Sequence, residues 1–331
     1  MTEDVLHVDA RVVRWPLHEP FQISGYTWET MSVIEVTVRD DQATGLGEGA
    51  PLFYKQQTAE GLLESLNPVL GAVSRADVRA AAAQMPGGAR NALDCALWDW
   101  RARRAGRAVH ELIGAPAPEP LTTVMTISLD TPDVMAASAV RYASRRALKL
   151  KLGASRGDAD RLRAVRAVAP DAELIIDANC GWDLATLQAM QDALVECRVA
   201  MVEQPLPPDA DEALRGFASA VPLCADESCQ TVADVPRLKD RYQLVNIKLD
   251  KTGGLTSALE LADAAERAGM QMMVGNMVGS SLAMAPAHLI GQRCRFVDLD
   301  GPLLLGTDCD HGLDYNGSTV NPPTPALWGG P

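Results

Sequence analysis

From about residue 120 onward, short apolar and β-branched runs alternate with Ala-, Leu- and Arg-rich stretches whose apolar positions recur every three or four residues. The runs at 121–128, 147–151, 173–177, 200–203, 222–226, 244–249, 271–275 and 295–299 predict strands, and the stretches between them, such as 158–169 and 256–268, predict helices. Strand centres fall about 22 to 27 residues apart, the length of a strand with its crossover helix. Eight such units predict an α/β fold with a parallel (β/α) barrel. A doubly wound sheet is the competing architecture, but it would open on a Gly-rich first turn, and none is present.

The first 115 residues follow another pattern. Residues 5–15 and 32–39 alternate as strands of an antiparallel meander, whereas 58–72 and 78–84 predict helices. Residues 90–101 repeat apolar positions at three- and four-residue spacing, the mark of an amphipathic helix. This is an α+β unit set before the barrel, and the Gly- and Pro-rich tail from Gly306 is expected to return across it. The expected divisions are 1–118 for an N-terminal capping domain, 119–305 for the barrel and 306–331 for the returning tail.

Composition narrows the function. At 331 residues and 47% hydrophobic content the chain buries a large core, and its net charge of −13 argues against nucleic acid or anionic membranes as partners. Residues 1–4 have neither the basic region nor the apolar core of a secretory signal, and no apolar run reaches the roughly 18 residues of a membrane span. Seven dispersed cysteines without a CxxC pair read as reduced thiols of a cytoplasmic protein, not as a zinc site. A small-molecule substrate is expected, and a homo-oligomeric state is compatible with the chain.

The candidate chemistry lies at the ends of the predicted strands. Segment 147–152 reads Ala-Leu-Lys-Leu-Lys-Leu, so Lys149 and Lys151 share one face of a strand. Their mutual repulsion is expected to lower each pKa from roughly 10.4 and make a neutral amine available as a base. The next three strands end in Asp177, Glu203 and Asp226. Any one of these acids could be a helix N-cap. Three in succession at the C-terminal ends of adjacent parallel strands converge on one point and predict an all-oxygen site for Mg²⁺. The sixth strand supplies Lys248, expected across the barrel from Lys151. A carboxylate held by Mg²⁺ has a more acidic α-proton, because the metal stabilises the enediolate left behind. One lysine then removes the proton and the other returns one to the opposite face, inverting the carbon.

These residues resemble the enolase superfamily, its muconate-lactonising subgroup and, within that, the dipeptide epimerases of the L-Ala-D/L-Glu epimerase type. The likeness spans nearly the whole chain. It rests on 15–21 (Trp-Pro-Leu-His-Glu-Pro-Phe), 87–100, Lys149-x-Lys151, 177–179, 203–206, 225–228, 246–254 and 298–302. It implies a modified (β/α)₇β barrel of the TIM type under an α+β capping domain, with Asp177, Glu203 and Asp226 as Mg²⁺ ligands. It also implies Lys151 and Lys248 as the acid/base pair, with Lys149 modulating Lys151 and touching the bound carboxylate.

The eighth strand bears on the substrate. Asp298 and Asp300 share a face and suit the free ammonium group of a dipeptide; in the family this pair marks dipeptide epimerases. The alternatives are an N-acylamino acid racemase or an o-succinylbenzoate synthase-like lyase, whose substrates offer no such cation. Thr126 is a candidate pocket residue. The segment after Phe21, with Tyr26 and Trp28, is expected to lie as a loop over the substrate's second side chain. Family members acting on L-Ala-Glu tend to carry a basic residue there, where this chain has Trp28, and Lys55 is a candidate for the missing charge. His7, His18, His110, His288 and His311 are isolated, and Asp94, Trp98 and Trp100 read as packing.

Overall fold

A computed structural model describes residues 5–154 and 156–331. Residues 1–4, read above for a secretory signal, lie outside the described residues.

The N-terminal part opens on a long antiparallel hairpin, β1 (Val5–Ile23) with β2 (Tyr26–Arg39), flanked by β3 (Thr44–Gly49) and β4 (Gly71–Ser74) in the order β3-β2-β1-β4. Alternation selects the buried face: Leu6 and Val8 of β1 and Ile34, Val36 and Val38 of β2 share a core with Ala89, Ala92, Leu93 and Ala96 of the helix Gly87–Ala105. The helix rests directly on β3. A Cβ at Gly45, Gly47 or Gly49 would lie 2.0–2.2 Å from its backbone carbonyls, so only a glycine at every second position permits the contact.

This part departs from expectation in two places. The hairpin runs on to Ile23 and Tyr26, with a register shift between Pro16 and Phe21, because Pro16 and Pro20 interrupt the alternation without ending the pairing. The segment expected as a loop is therefore the tip of a hairpin, turned at Gly25 (φ +79°). The helix predicted over 58–72 stops at Ser65, where Asn67–Val69 takes a single 3₁₀ turn around Pro68, and 71–74 form β4 instead.

After β5 (Leu121–Thr122) come eight parallel strands in chain order: β6 (Met125–Ile127), β7 (Ala147–Lys151), β8 (Glu173–Asp177), β9 (Val199–Glu203), β10 (Leu223–Ala225), β11 (Leu244–Ile247), β12 (Gln271–Val274) and β13 (Phe296–Val297). Hydrogen bonds from Val124 N to Val297 O at 2.9 Å and from Leu299 N to Thr123 Oγ1 at 2.9 Å join the first strand to the last. The fold is a TIM-type barrel beneath a capping α+β layer. The first predicted strand is divided: β5 leaves the barrel to pair with the tail hairpin β14 (Tyr315–Asn316) and β15 (Thr319–Val320).

Period-two alternation sorts the barrel residues. Leu148, Leu150 and Leu152 face outward into the core shared with the helices. Val124, Ala147, Ile175, Met201, Cys224, Leu244, Met273 and Phe296 fill the interior as an apolar plug. Two residues further along their strands, Lys149, Asp177, Glu203, Asp226, Asn246 and Asp298 form the next inward layer. The apolar plug excludes water from below, so the charged layer is reached only from the capping side. The tail packs on the capping helix through Trp328 Nε1 to Cys95 O at 3.0 Å. Among the described residues no helix is long and apolar enough to cross a membrane.

Candidate active site

A cavity of about 300 Å³ lies between the charged layer and the capping hairpin. Thr126, Lys149, Lys151, Asp226, Lys248, Asp298 and Asp300 line it from the barrel, with Phe21, Ile23, Trp28, Phe53 and Tyr54 above. Asp177 and Glu203 are fully buried in its floor. Two predicted residues stand apart. Tyr26 is 44% exposed and stacks on the outer side of Trp28, with ring centroids 5.5 Å apart. Lys55 is turned onto Gln230 Oε1 at 2.7 Å and does not line the cavity.

The floor is a web of paired charges. Lys149 Nζ sits 2.7 Å from Asp298 Oδ2, 2.7 Å from Glu203 Oε2 and 3.1 Å from Asp177 Oδ2. Lys151 Nζ donates to the same Asp177 oxygen at 2.6 Å, and Lys248 Nζ to Asp226 Oδ2 at 2.7 Å. The other Asp226 oxygen accepts from Lys251 at 2.6 Å. Asn246, two residues before Lys248 on the same inward face, donates to Glu203 Oε1 at 2.7 Å. Gly275 makes room for this arm: a Cβ there would stand 2.6 Å from Asn246 Nδ2 and 3.0 Å from Lys248 Cε.

The pairing corrects one expectation. Repulsion from Lys151 was to lower the pKa of Lys149. Burial does pull it down, but Asp298, Glu203 and Asp177 outweigh that and hold the Lys149 ammonium well above its usual range. Burial likewise opposes ionisation of Asp177, yet Lys151 and Lys149 bring it down to about 2. Against burial, Lys248 and Lys251 hold Asp226 lower still, and Asp226 and Glu203 in turn hold Lys248 up against its own burial. Glu203 and Glu227 go the other way, to about 7 and about 8, through burial and neighbouring carboxylates. Asp300 rises to about 7 through burial and Asp298.

The donor set fits a divalent cation. Six buried carboxyl groups (Asp177, Glu203, Asp226, Glu227, Asp298 and Asp300) face four buried lysines (Lys149, Lys151, Lys248 and Lys251), and the acids pushed up to about 7 and 8 are those that a bound cation would help to ionise. Glu227 Oε2 is buried with no hydrogen-bond partner among the described residues. Asp177, Glu203 and Asp226 offer hard oxygen donors from three adjacent strands. Their oxygens are turned onto lysines and Asn246, so among the described residues no three acids form a ready-made cage.

Glu227, Asn246, Lys251 and Asn276 belong to the site although sequence reasoning assigned them no role. Asn246 was legible from its two-residue spacing to Lys248. Lys251 was not, since it reaches Asp226 only because the turn Leu249–Thr252 folds back beside β10. Asn276 donates to Asp298 O at 2.7 Å across the seam between β12 and β13.

Comparisons with known proteins fit this geometry. Residues 6–114 match the mandelate racemase / muconate lactonizing enzyme N-terminal domain, and residues 134–307 match the enolase C-terminal domain-like family. An N-acetyl-D-glutamate racemase from a Pseudoalteromonas species is 46% identical over 74% of this chain and 77% of its own. The L-Ala-D/L-Glu epimerase of Escherichia coli K12 is 40% identical over 91% of this chain and 95% of its own. Among solved structures, an Agrobacterium tumefaciens enolase family member with homology to dipeptide epimerases, with bound sodium and L-Ala-L-Glu, superposes with TM-score 0.93 at 43% identity, covering 98% of this chain and all of that one. A dipeptide epimerase from Cytophaga hutchinsonii complexed with Mg and D-Ala-L-Val has TM-score 0.90 at 26% identity, covering 96% of this chain and 93% of that one.

Proposed function

The chain belongs to the enolase superfamily, and from that premise we propose that it is a Mg²⁺-dependent dipeptide epimerase, an isomerase that inverts the α-carbon of the C-terminal residue of an L-Ala-Xaa dipeptide. The observation that carries this reading is the pair Lys151 and Lys248. They stand at the second and sixth of eight barrel strands, both line one cavity, and each is tied to a different carboxylate, Asp177 and Asp226.

In this reading Asp177, Glu203 and Asp226 would hold Mg²⁺, which would supply electrostatic stabilisation of negative charge on the substrate carboxylate. Everything else is done by side chains of this chain. Lys151 Nζ takes or gives the α-proton on one face and Lys248 Nζ does so on the other, so the roles exchange with the enantiomer that is bound. The lysine acting as base must first shed its carboxylate contact and present a neutral amine, while the other stays an ammonium and gives its proton to the opposite face. Lys149 stays positive between its three acids and touches the substrate carboxylate, opposing the growth of negative charge. Asp298 and Asp300, with Thr126 N donating to Asp300 Oδ2 at 2.6 Å, receive the α-ammonium group of the dipeptide. The apolar plug below and the aromatic roof above keep water from the reacting carbon. Seven free cysteines support a cytoplasmic setting.

The likeness to an N-acetyl-D-glutamate racemase favours a second reading, racemisation of an N-acylamino acid. Asp298 and Asp300 weigh against it, because an acylated nitrogen carries no charge for them to meet. The test is α-proton exchange in D₂O with Mg²⁺, using L-Ala-L-Xaa dipeptides and N-acetylamino acids side by side and reading deuterium by mass spectrometry. Label at the second residue of dipeptides supports the epimerase, whereas label only in N-acetylamino acids moves the assignment to the racemase.

A further inference from the structure

The roof of the cavity decides which side chain the inverted carbon can carry. With the substrate carboxylate toward the three acids and the ammonium toward Asp298 and Asp300, the remaining substituent leaves past Lys151 toward the capping hairpin. There it meets Phe21, whose ring centroid lies 6.0 Å from Lys151 Nζ, and then Trp28 and Phe53. Phe21 and Trp28 are stacked at 6.2 Å, and Phe53 stands edge-on to Trp28 at 5.1 Å. Met277 and Val278 close the wall from the barrel side.

Charge is missing from this wall. Among the described residues the cavity is lined by no arginine and no histidine, and its lysines are the three in the floor, each already ion-paired. Lys55, the outstanding candidate for a cation, is held on Gln230. The outer rim offers uncharged Thr30, Ser32 and Gln57, plus Glu60, which is paired with Arg14 at 2.8 Å and repels an anion. A γ-carboxylate placed here would lose its water and gain no counter-charge. A lysine side chain would find one acid, already engaged. A large apolar side chain would exchange water for aromatic and thioether surface.

Resting on the epimerase reading, we propose that the second residue of the substrate is apolar, aromatic or large aliphatic, and that Phe21, Trp28 and Phe53 are the residues that select it. This departs from what the Escherichia coli relative acts on, since that enzyme is an L-Ala-D/L-Glu epimerase.

The test is the rate of α-deuteration of L-Ala-L-Phe, L-Ala-L-Leu and L-Ala-L-Met against L-Ala-L-Glu and L-Ala-L-Lys, with Mg²⁺, for the wild type and for Trp28→Arg. The apolar dipeptides should exceed L-Ala-L-Glu in kcat/KM by roughly 100-fold, the range in which an unpaired polar group is rejected. Trp28→Arg should move that ratio toward glutamate by about tenfold or more. Glutamate or lysine labelled as fast as the apolar residues by the wild type would overturn the proposal whatever the variant does. If no dipeptide is labelled, the epimerase reading fails, and the pocket is then judged on N-acetylamino acids: N-acetyl-Phe ahead of N-acetyl-Glu supports it, and the reverse order overturns it. Absence of label in both classes overturns both.

Discussion

Glu48 of β3 and Ser280, which caps the barrel helix Ser281–Gly291, are joined by two hydrogen bonds: Ser280 N donates to Oε1 at 2.7 Å and Ser280 Oγ to Oε2 at 2.6 Å. Trp15 Nε1 adds a third donor at 3.2 Å. The carboxylate is buried, and burial pushes its pKa up to about 7 against the opposing pull of these donors. The bond ties the capping layer to the segment carrying Asn276, Met277 and Val278, so it holds roof and floor in register around the cavity. Glu48→Ala should cost about 3 kcal/mol of stability, by leaving these donors unsatisfied around a small void, and should raise KM more than it lowers kcat. Chemical denaturation together with steady-state kinetics checks both.

The two lysines predict an asymmetry. Lys151→Ala and Lys248→Ala should each lower epimerisation by about 10³-fold or more, within the range of about 10²- to 10⁴-fold that a positioned proton-transfer group supplies. Each variant should nevertheless retain α-proton exchange for one of the two epimers, and the retained epimer should differ between them. Proton NMR in D₂O on the separate L,L and L,D dipeptides reads this directly; equal exchange of both epimers by either variant would contradict a two-base mechanism.

Asp300→Asn tests the proposed ammonium subsite. Asn keeps an oxygen for the Thr126 N–H that Asp300 Oδ2 now accepts, so the local fold should hold. Asp298 is less suitable, since it also pairs with Lys149. The variant should raise KM for dipeptides about 10- to 100-fold through the lost charge–charge contact, while any exchange of N-acetylamino acids stays within about twofold. A similar loss for both substrate classes would assign Asp300 to the fold instead.

His288 sets a pH dependence of stability. It is buried beside the tail hairpin, with Nε2 3.4 Å from Val320 O, and burial lowers its pKa from 6.5 to about 4. The native state resists protonation, so between pH 6.5 and about 4 the unfolded chain binds more protons and stability falls as pH falls. The full effect is at most about 3 kcal/mol. Glu48, raised to about 7, acts with the opposite sign: its native state binds the extra proton, and its contribution is lost as pH rises through that value. The difference between wild type and His288→Gln, followed by denaturation from pH 7 to 4, isolates the histidine, and the variant should show the flatter curve.

The parts of the site legible in the sequence are those that alternation fixes. Lys149 and Lys151, Asp298 and Asp300, and the acids ending β8 and β9 stand at two-residue or strand-end positions, which already put them on the inward face at one end of the barrel. The hairpin tip was harder to see, because Pro16 and Pro20 break the pattern while the strands continue to pair.

The sequence by itself determined the repeat of eight strand–helix units, the family likeness and the face on which each charged side chain lies, since all of these follow from backbone geometry over a few residues. Closure of the barrel decided the rest. It set Lys149 between acids from β8, β9 and β13, and so reversed the pKa shift that its neighbour alone implied. It brought Lys251 onto Asp226, turned Lys55 onto Gln230, and laid Phe21 beside Lys151. The reason is physical: alternation is a property of adjacent bonds, whereas Coulomb energy and packing depend on separation in space, which chain order does not fix.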